Sequence, residues 1–105
     1  LFRSERIKRA YAYGGVKREQ PFVFEYDRQL VQGVIDLYFI EDGQLVIVDY
    51  KTDRVLRGRA GEDELRRRYS IQLDYYAMAL SQITGLKVKE KVIYSFALGR
   101  SLTVE

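Results

Sequence analysis

Two carboxylates and one amine have the spacing in this sequence that is most typical of a catalytic site. Asp36 lies in one apolar stretch and Asp49 in the next, with Lys51 two residues further on. The turn Asp42-Gly43 between the stretches predicts a two-residue hairpin, because both turn residues tolerate positive φ. This turn fixes the register and places Asp36 opposite Asp49. Alternation along the strand then puts Lys51 on the same side of the sheet as Asp49.

Two carboxylates that face each other on an apolar surface call for a cation between them. Opposed like charges destabilise a sheet by about 0.2–1 kcal/mol even when they are partly solvated, and burial increases that cost. Ligation by carboxylate oxygens and water suits Mg²⁺ or Mn²⁺. The pattern therefore predicts a divalent-metal site at Asp36 and Asp49. The alternative is an ordinary ion pair between Asp49 and Lys51, with Asp36 capping a loop if the register differs by one residue.

The residue types that are missing narrow the chemistry further. The sequence contains no Cys and no His, which excludes disulfides, thiolate chemistry, His-dependent nucleophile systems and imidazole metal sites. A length of 105 residues with 47% apolar and 31% charged residues is typical of one globular domain. No segment is typical of a membrane span or a signal peptide, so we expect a cytoplasmic location without a membrane partner. The absence of an initiator Met at Leu1 favours a piece of a longer polypeptide.

The first half of the chain predicts one helix followed by three strands. Residues 2–13 have helical periodicity, and residues 22–26 form a short strand with Pro21 at its start or on a sheet edge. The two hairpin strands cover roughly residues 30–40 and 44–51. Both are apolar on both faces, which predicts a central position in the sheet with helices on at least one side.

The second half predicts a crossover helix and a returning strand. Residues 53–61 form a loop, and the acidic run Glu62-Asp63-Glu64 favours a helix start. The helix ends at Gly85, and residues 91–98 form the last strand. Its apolar stripe consists of Leu65, Tyr69, Leu73, Tyr76, Leu80 and Ile83. The order α-β-β-β-α-β predicts an α/β fold with a small mixed sheet flanked by helices.

Arginines crowd the segment after Lys51, at positions 54, 57, 59, 66, 67 and 68. A solvated helix face is one interpretation of such a charge run. Arg also grips phosphate with a planar fork, and the cluster follows the predicted metal site directly. Phosphate contacts by Arg54, Arg57 and Arg59 are therefore the second interpretation.

Gln72 and Tyr76 lie four residues apart and share a face of the crossover helix. Tyr76 belongs to the apolar stripe, so core packing with a solvated hydroxyl explains it without any function. Gln72 has no obvious core role and is placed to orient a phosphate or a water molecule.

Three motifs in this order resemble the RecB-like branch of the PD-(D/E)xK nucleases. They are Gly-Val-Ile-Asp at 33–36, Val-Asp-Tyr-Lys-Thr at 48–52 and Gln-Leu-Asp-Tyr-Tyr-Ala-Met-Ala-Leu at 72–80. The resemblance is closest to the C-terminal nuclease domain of AddA-type ATP-dependent helicase–nuclease subunits, and Glu19-Gln-Pro-Phe22 is similar too. It covers about residues 18–98. It implies a restriction-endonuclease-like αβββαβ core, with residues 1–105 as a single nuclease domain of a longer helicase–nuclease chain.

The resemblance also implies roles for the residues of the hairpin. Asp36 and Asp49 would bind catalytic Mg²⁺, or Mn²⁺, together with the backbone carbonyl of Tyr50. Lys51 would orient or activate the attacking water and offset charge on the phosphate. The chemistry would be phosphodiester hydrolysis.

Gln72 and Tyr76 match the family's Gln-x-x-x-Tyr motif, which implies support of the active site and contacts to DNA. Relatives often complete the metal shell with a His or Glu from an upstream helix. This chain has no His, and Glu5 is the acid on the predicted first helix. Water, or a residue upstream of Leu1, would then complete the shell, and the isolated chain is not assured of activity.

The implied function is a Mg²⁺-dependent deoxyribonuclease, an exonuclease acting on single-stranded DNA that an attached ATP-dependent helicase delivers during double-strand-break repair and recombination. ATP would bind only to the helicase part, outside this chain. The implied partners are DNA, the helicase domains of the same polypeptide and a second, AddB-type subunit, in the bacterial cytoplasm at the nucleoid. The alternatives are a free-standing PD-(D/E)xK endonuclease or resolvase, and an inactive DNA-binding scaffold.

Overall fold

Five strands and one long helix make up the part of the chain that the structure, a computed structural model, describes: Lys8 and residues 15–105. The first helix predicted over residues 2–13, with Glu5, lies outside the described residues apart from Lys8. The elements are β1 (Val16–Tyr26), β2 (Gln29–Glu41), β3 (Gln44–Lys51), α1 (Arg59–Thr84), β4 (Val88–Ser95) and β5 (Arg100–Val104). The fold is α/β with a mixed sheet, as predicted.

The sheet has the strand order β1-β2-β3-β4-β5. All neighbours are antiparallel except β3 and β4, which run parallel because α1 crosses over between them. The hairpin register predicted from the sequence is confirmed: Glu41 pairs with Gln44 and Ile40 with Leu45. Asp42 and Gly43 have φ values of 54° and 73°, as a two-residue turn requires. The two hairpin strands lie in the interior of the sheet, which confirms the central position predicted from their apolar faces.

The two outer regions of the sheet differ from the prediction. β1 begins six residues before the predicted start, and Pro21 pairs with Val34 inside it. β1 is an edge strand of the sheet, and an edge strand tolerates Pro because one of its two sides has no neighbouring strand that needs the N–H group. The strand predicted over residues 91–98 is wrong at its end: β4 stops at Ser95, and a turn follows in which Gly99 N donates to Ser95 O at 2.8 Å. β5, which was not predicted, returns antiparallel to β4.

The crossover helix starts earlier than its acidic run indicates. Gly58 adopts φ 86°, and its carbonyl accepts a hydrogen bond from Glu62 N at 3.1 Å, so the first turn begins at Arg59. The helix ends at Gly85, which has a left-handed φ of 74°. That end was predicted. Arg59 therefore belongs to the helix and not to the loop that precedes it.

Helix α1 covers one face of the sheet. Four members of the predicted stripe are buried, but Ile83 in the last turn is 55% exposed, and Ala79 occupies a core position instead. On this face the helix packs against Ile35, Leu45, Ile47, Ile93 and Leu102. A second buried cluster lies on the opposite face and consists of Leu37, Phe39, Val46, Val48, Val92 and Tyr94. Within the described residues, no helix is long and apolar enough to cross a membrane.

Gly61 packs α1 tightly against the loop that precedes it. A Cβ atom added to Gly61 would lie 1.6 Å from the carbonyl oxygen of Leu56. In an ordinary helix interior, Gly→Ala stabilises by roughly 0.5–1 kcal/mol. We expect Gly61→Ala to destabilise the domain instead, by about 1–3 kcal/mol, because either the helix start or the loop must move.

Urea unfolding of the 105-residue chain measures this effect. Gln82→Ala, on the exposed side of the same helix, is the matched control and should be neutral or slightly stabilising. A Gly61→Ala variant at least as stable as the wild type would contradict the close packing.

Candidate active site

The two predicted metal-ligating carboxylates lie where β2 and β3 separate. The ladder between these strands ends at the pair Leu37–Val48. Beyond that pair, β2 continues along β1, while β3 continues along β4 to the pair Lys51–Ser95. Asp36 and Asp49 are the next residues of the register, so they meet at the mouth of this opening.

The alternation of side chains along β2 is interrupted at Asp36. Ile35 lies in the cluster beneath α1, whereas Leu37 lies in the cluster on the opposite face. On β1, Glu19 lies between the pairs Arg18–Leu37 and Gln20–Ile35, is itself unpaired in this ladder and adopts a φ of 51°. Asp36 Oδ2 accepts a hydrogen bond from the backbone N–H of Tyr50 at 2.9 Å. The Asp36 side chain thus bridges the two strands where their backbones no longer pair.

Asp49 is a buried carboxylate with an incomplete set of partners. It is 2% exposed, and Lys51 Nζ lies 2.8 Å from its Oδ2. This contact is an ion pair and not a well-aligned hydrogen bond, so Oδ2 is charge-paired with Lys51 but not fully satisfied within the described residues. Burial raises the pKa of Asp49 to about 6, and the neighbouring carboxylate of Asp36 raises it as well, while Lys51 acts in the opposite direction. This oxygen is therefore suited to a cationic ligand.

Lys51 is enclosed on three sides. In addition to Asp49, its Nζ donates a hydrogen bond to Gln72 Oε1 at 3.0 Å and lies 4.0 Å from the centre of the Tyr69 ring. The Tyr69 hydroxyl in turn donates to Asp53 Oδ2 at 2.6 Å. The structure thus places the predicted residue Gln72 beside the predicted residue Lys51, across the contact between α1 and β3.

Sequence reasoning did not identify Tyr69 and Asp53 as residues of this site. Tyr69 was assigned only to the apolar stripe, although it precedes Gln72 by three residues and so shares its side of the helix. Asp53 follows Lys51 by two residues but lies past the end of β3. These spacings were the available signals, and both are too common in sequences to stand out.

Tyr76 lies beneath the site as a core residue with a polar end. It is buried, and its ring packs edge-on against Phe22 at 5.5 Å. Burial raises the pKa of Tyr76 to about 12, and the negative charges of Asp49 and Asp36 contribute. The hydroxyl therefore stays protonated at neutral pH and is available as a hydrogen-bond donor.

The donor set fits a Mg²⁺-type ion that keeps much of its water. Around the site, the described residues contain no cluster of three or more Asp, Glu, His or Cys side chains. Two carboxylates are available, one with the unsatisfied buried oxygen described above, and the carbonyl of Tyr50 follows Asp49 directly in β3. Mg²⁺ is commonly held by one or two carboxylates with water in its other positions.

The arginines divide into two groups. Arg54 and Arg57 are exposed and have no ion pair with any described residue. Arg59, placed in α1, lies 3.9 Å from Asp63. The other three form ion pairs with neighbouring acids: Arg66 with Glu62 and Asp63, Arg67 with Glu64, and Arg68 with Asp53 and Glu64.

The amino-acid sequence is similar to known proteins over most of its length. The sequence profile of the PD-(D/E)XK nuclease superfamily matches residues 3–102. An ATP-dependent helicase/nuclease subunit of Lachnoclostridium phytofermentans is 52% identical over 79 residues, which are 75% of this chain and 6% of that protein. The protein of the same name from Thermoanaerobacter sp. (strain X514) is 40% identical over 117 residues, 97% of this chain and 9% of its own length.

A third protein of that name, from Acetivibrio thermocellus, is 42% identical over 111 residues, 90% of this chain and 9% of its own length. The chain thus spans less than a tenth of each of these relatives.

The raised pKa of Asp49 predicts how the stability of the metal-free protein depends on pH. The pKa of Asp49 is 3.8 in the unfolded state and about 6 in the folded state. At a pH between these two values, Asp49 keeps its proton in the folded state and releases it in the unfolded state. The contribution of Asp49 to the free energy of unfolding is therefore largest at low pH and is lost as the pH rises towards 6. Asp49→Asn cannot ionise, so in EDTA at pH 8 it should be more stable than the wild type, by at most about 3 kcal/mol.

Urea unfolding at pH 4 and pH 8 checks this prediction, and the advantage of Asp49→Asn should shrink at pH 4. Asp53→Asn is a control of opposite sign, because the hydrogen bond from Tyr69 lowers the pKa of Asp53. It should cost stability at pH 8 and less at low pH. An Asp49→Asn variant that is less stable than the wild type at pH 8 would contradict the buried, unsatisfied carboxylate.

Proposed function

The chain belongs to the PD-(D/E)XK nuclease superfamily, and on that premise we propose that it is the catalytic nuclease domain of a longer ATP-dependent helicase–nuclease chain. The observation that carries the proposal is the meeting of Asp36, Asp49, Lys51 and Gln72 at the opening between β2 and β3. Relatives named as helicase/nuclease subunits, of which this chain spans only a small share, support the longer context.

The proposed reaction is hydrolysis of a phosphodiester bond in DNA. Asp36, Asp49 and the carbonyl of Tyr50 hold the metal ion. A bound Mg²⁺ or Mn²⁺ supplies Lewis-acid polarisation of the phosphate and acidifies a water ligand. The buried position of Asp49 keeps competing water away from its carboxylate, which strengthens the attraction of this residue for a cation.

Lys51 provides the chain's own positive charge at the reacting phosphate. Asp49 and Gln72 fix its ammonium group from two sides, and the Tyr69 ring lies beside it. A preorganised ammonium donates to the attacking water or to a phosphate oxygen and stabilises the negative charge of the transition state. Gln72 acts by holding Lys51 and contacting the DNA. The protonated Tyr76 hydroxyl is a second hydrogen-bond donor, besides Lys51.

The relatives' names support a wider biological context that we propose for the whole protein. We assign to the whole protein an ATP-driven helicase outside this chain, which delivers single-stranded DNA to the nuclease site. Because the relatives are named as subunits, we also assign to the whole protein a second, AddB-type subunit. Processing of DNA ends in double-strand-break repair and recombination, in the bacterial cytoplasm, suits such an enzyme.

Lys51→Ala in the full-length chain tests the catalytic assignment. DNA cleavage should fall by about 10²-fold or more, because the lost ammonium acts mainly in the transition state. ATP-driven unwinding and DNA affinity should stay nearly unchanged. Nuclease and unwinding assays on the same preparation measure these activities.

Lys89→Ala is the matched control. Lys89 lies on β4 and also forms ion pairs with two acids, Glu41 and Asp42. These acids are at the turn of the β2–β3 hairpin, the end opposite to the candidate active site. Its replacement should leave cleavage intact. If unwinding is lost together with cleavage in Lys51→Ala, Lys51 has a structural role and the catalytic assignment is wrong.

The exposed arginines of the loop are proposed to line the path of the DNA backbone, with Arg59 beside them at the start of α1. Each neutralised phosphate of a single strand contributes about −0.7 to the slope of log K against log salt. The double variant Arg54→Gln/Arg57→Gln should therefore flatten that slope by about 1.4, with equal effect on all sequences.

The slope is obtained by measuring the affinity for single-stranded DNA at several salt concentrations. Ca²⁺ is present in these measurements to suppress cutting. The double variant Arg66→Gln/Arg67→Gln is matched in charge, but its arginines already pair with acids of α1, so it should flatten the slope less. An unchanged slope in the loop variant would assign Arg54 and Arg57 to the solvated surface.

A further inference from the structure

Helix α1 presents a second face beside the one that packs on the sheet. Arg68, Ile71, Gln72, Tyr75 and Tyr76 are spaced by three, one, three and one residues and share one side of the helix. This side faces the β1–β2 hairpin across a cavity of about 390 Å³. We call this cavity the hairpin groove.

Aromatic and aliphatic side chains form much of the groove wall. Phe22 and Tyr76 pack edge-on at its base, with ring centres 5.5 Å apart. The Tyr75 ring is held between Phe24 at 6.3 Å and Tyr26 at 5.7 Å, and it is only half-buried. These contacts fix the orientation of the Tyr75 ring.

The wall contains a glycine in close contact with an aromatic ring and an exposed aliphatic side chain at its rim. Gly33 lines the groove beneath Phe22, and a Cβ atom there would lie 3.0 Å from Phe22 Cζ. Any larger residue would therefore displace that ring. Ile71, at the rim, is 67% exposed. It offers apolar surface to water next to the half-buried Tyr75.

The groove is continuous with the candidate active site. Gln72 lines it and also accepts the hydrogen bond from Lys51 Nζ at 3.0 Å. Whatever occupies the groove therefore lies next to the group that Lys51 contacts.

The chemistry of the lining favours a nucleobase over a phosphate. Its one cation within the described residues, Arg68, already donates to Glu64 and Asp53. No carboxylate of the described residues lines the groove, whereas the cavity beside Arg54 includes Glu64 and the cavity beside Arg59 includes Asp63 and Glu105. The side-chain amides of Gln32 and Gln72 lie in the lining as hydrogen-bond partners for a base edge.

We propose that the hairpin groove binds an unpaired nucleobase of the DNA strand, adjacent to the phosphate that is cleaved. Stacking on aromatic and apolar side chains accepts any base because every base has a π-face. A base inside a duplex has its faces covered by its neighbours and its pairing edge occupied, so it does not enter. The volume lies within the range of small-molecule sites, about 300–1,000 Å³. The inference rests on the proposed nuclease function and assigns one base of the proposed single strand to this groove.

Cleavage kinetics of the full-length chain on single-stranded oligonucleotides test the proposal. Ile71→Gln removes the apolar rim without adding charge. It should raise KM about 5- to 50-fold with kcat nearly unchanged, because a base held beside the scissile bond contributes equally to ground state and transition state. Ile83→Gln, which changes another exposed isoleucine of the same helix, should change neither parameter.

Oligonucleotides with one abasic position separate base contacts from backbone contacts. In the wild type, one abasic position near the cut should raise KM, and the same substrate should have little further effect on Ile71→Gln. Tyr75→Leu keeps apolar packing against Phe24 and Tyr26 but removes the ring, so it should behave like Ile71→Gln. Wild-type KM values in both variants, or an undiminished response to the abasic position, would overturn the proposal.

A binding measurement keeps this inference distinguishable from the proposed nuclease function. A single strand that contains the fluorescent base 2-aminopurine is bound to the protein in Ca²⁺. Its fluorescence should be quenched by the wild type and by Ile83→Gln, but less by Ile71→Gln. If the wild type quenches but cuts no DNA, the nuclease proposal fails and the groove assignment stands. If Ile71→Gln instead loses ATP-driven unwinding while its quenching is unchanged, the groove is a contact to the rest of the protein and our inference is wrong.

Discussion

The burial of the Asp49 carboxylate beside Asp36 is the constraint on which the rest of the site depends. A desolvated carboxylate next to a second one is costly, and the raised pKa of Asp49 expresses that cost. Lys51 offsets part of it through an ion pair with Asp49 Oδ2, but this same oxygen receives no well-aligned hydrogen bond from the described residues. A cation bound between the two carboxylates would therefore stabilise the folded state.

The sheet makes room for the carboxylates by giving up strand pairing at one place. Where the β2–β3 ladder ends, the backbone N–H of Tyr50 bonds to the Asp36 side chain instead of to a carbonyl. The parallel connection from β3 to β4 then requires a crossover. Helix α1, which makes that crossover, brings Gln72 and Tyr69 to Lys51 at the end of β3. Strand divergence and helical crossover therefore assemble one site from three elements.

Helix α1 carries three sets of residues, and each set faces a different part of the molecule. Leu65, Leu73 and Leu80 hold it on the sheet, Tyr69 and Gln72 contact Lys51, and Ile71 with Tyr75 faces the hairpin groove. We propose that the second set positions Lys51 for phosphodiester hydrolysis and that the third set holds an unpaired base of the DNA strand.

The sequence alone determined the features that depend on short-range chemistry. The Asp42-Gly43 turn fixed the hairpin register, Gly85 fixed the helix end, and the apolar hairpin strands indicated a central position, because turn geometry and periodicity are encoded within a few neighbouring residues. The ordered motifs around Asp36, Asp49 and Gln72 identified the family. Only the tertiary structure decided the interrupted alternation at Asp36, the contacts of Tyr69 and Asp53 around Lys51, the exposure of Ile83 and the existence of the hairpin groove. These depend on where two strands diverge and how a helix lies across the sheet, which are sums of many distant contacts that no local pattern records.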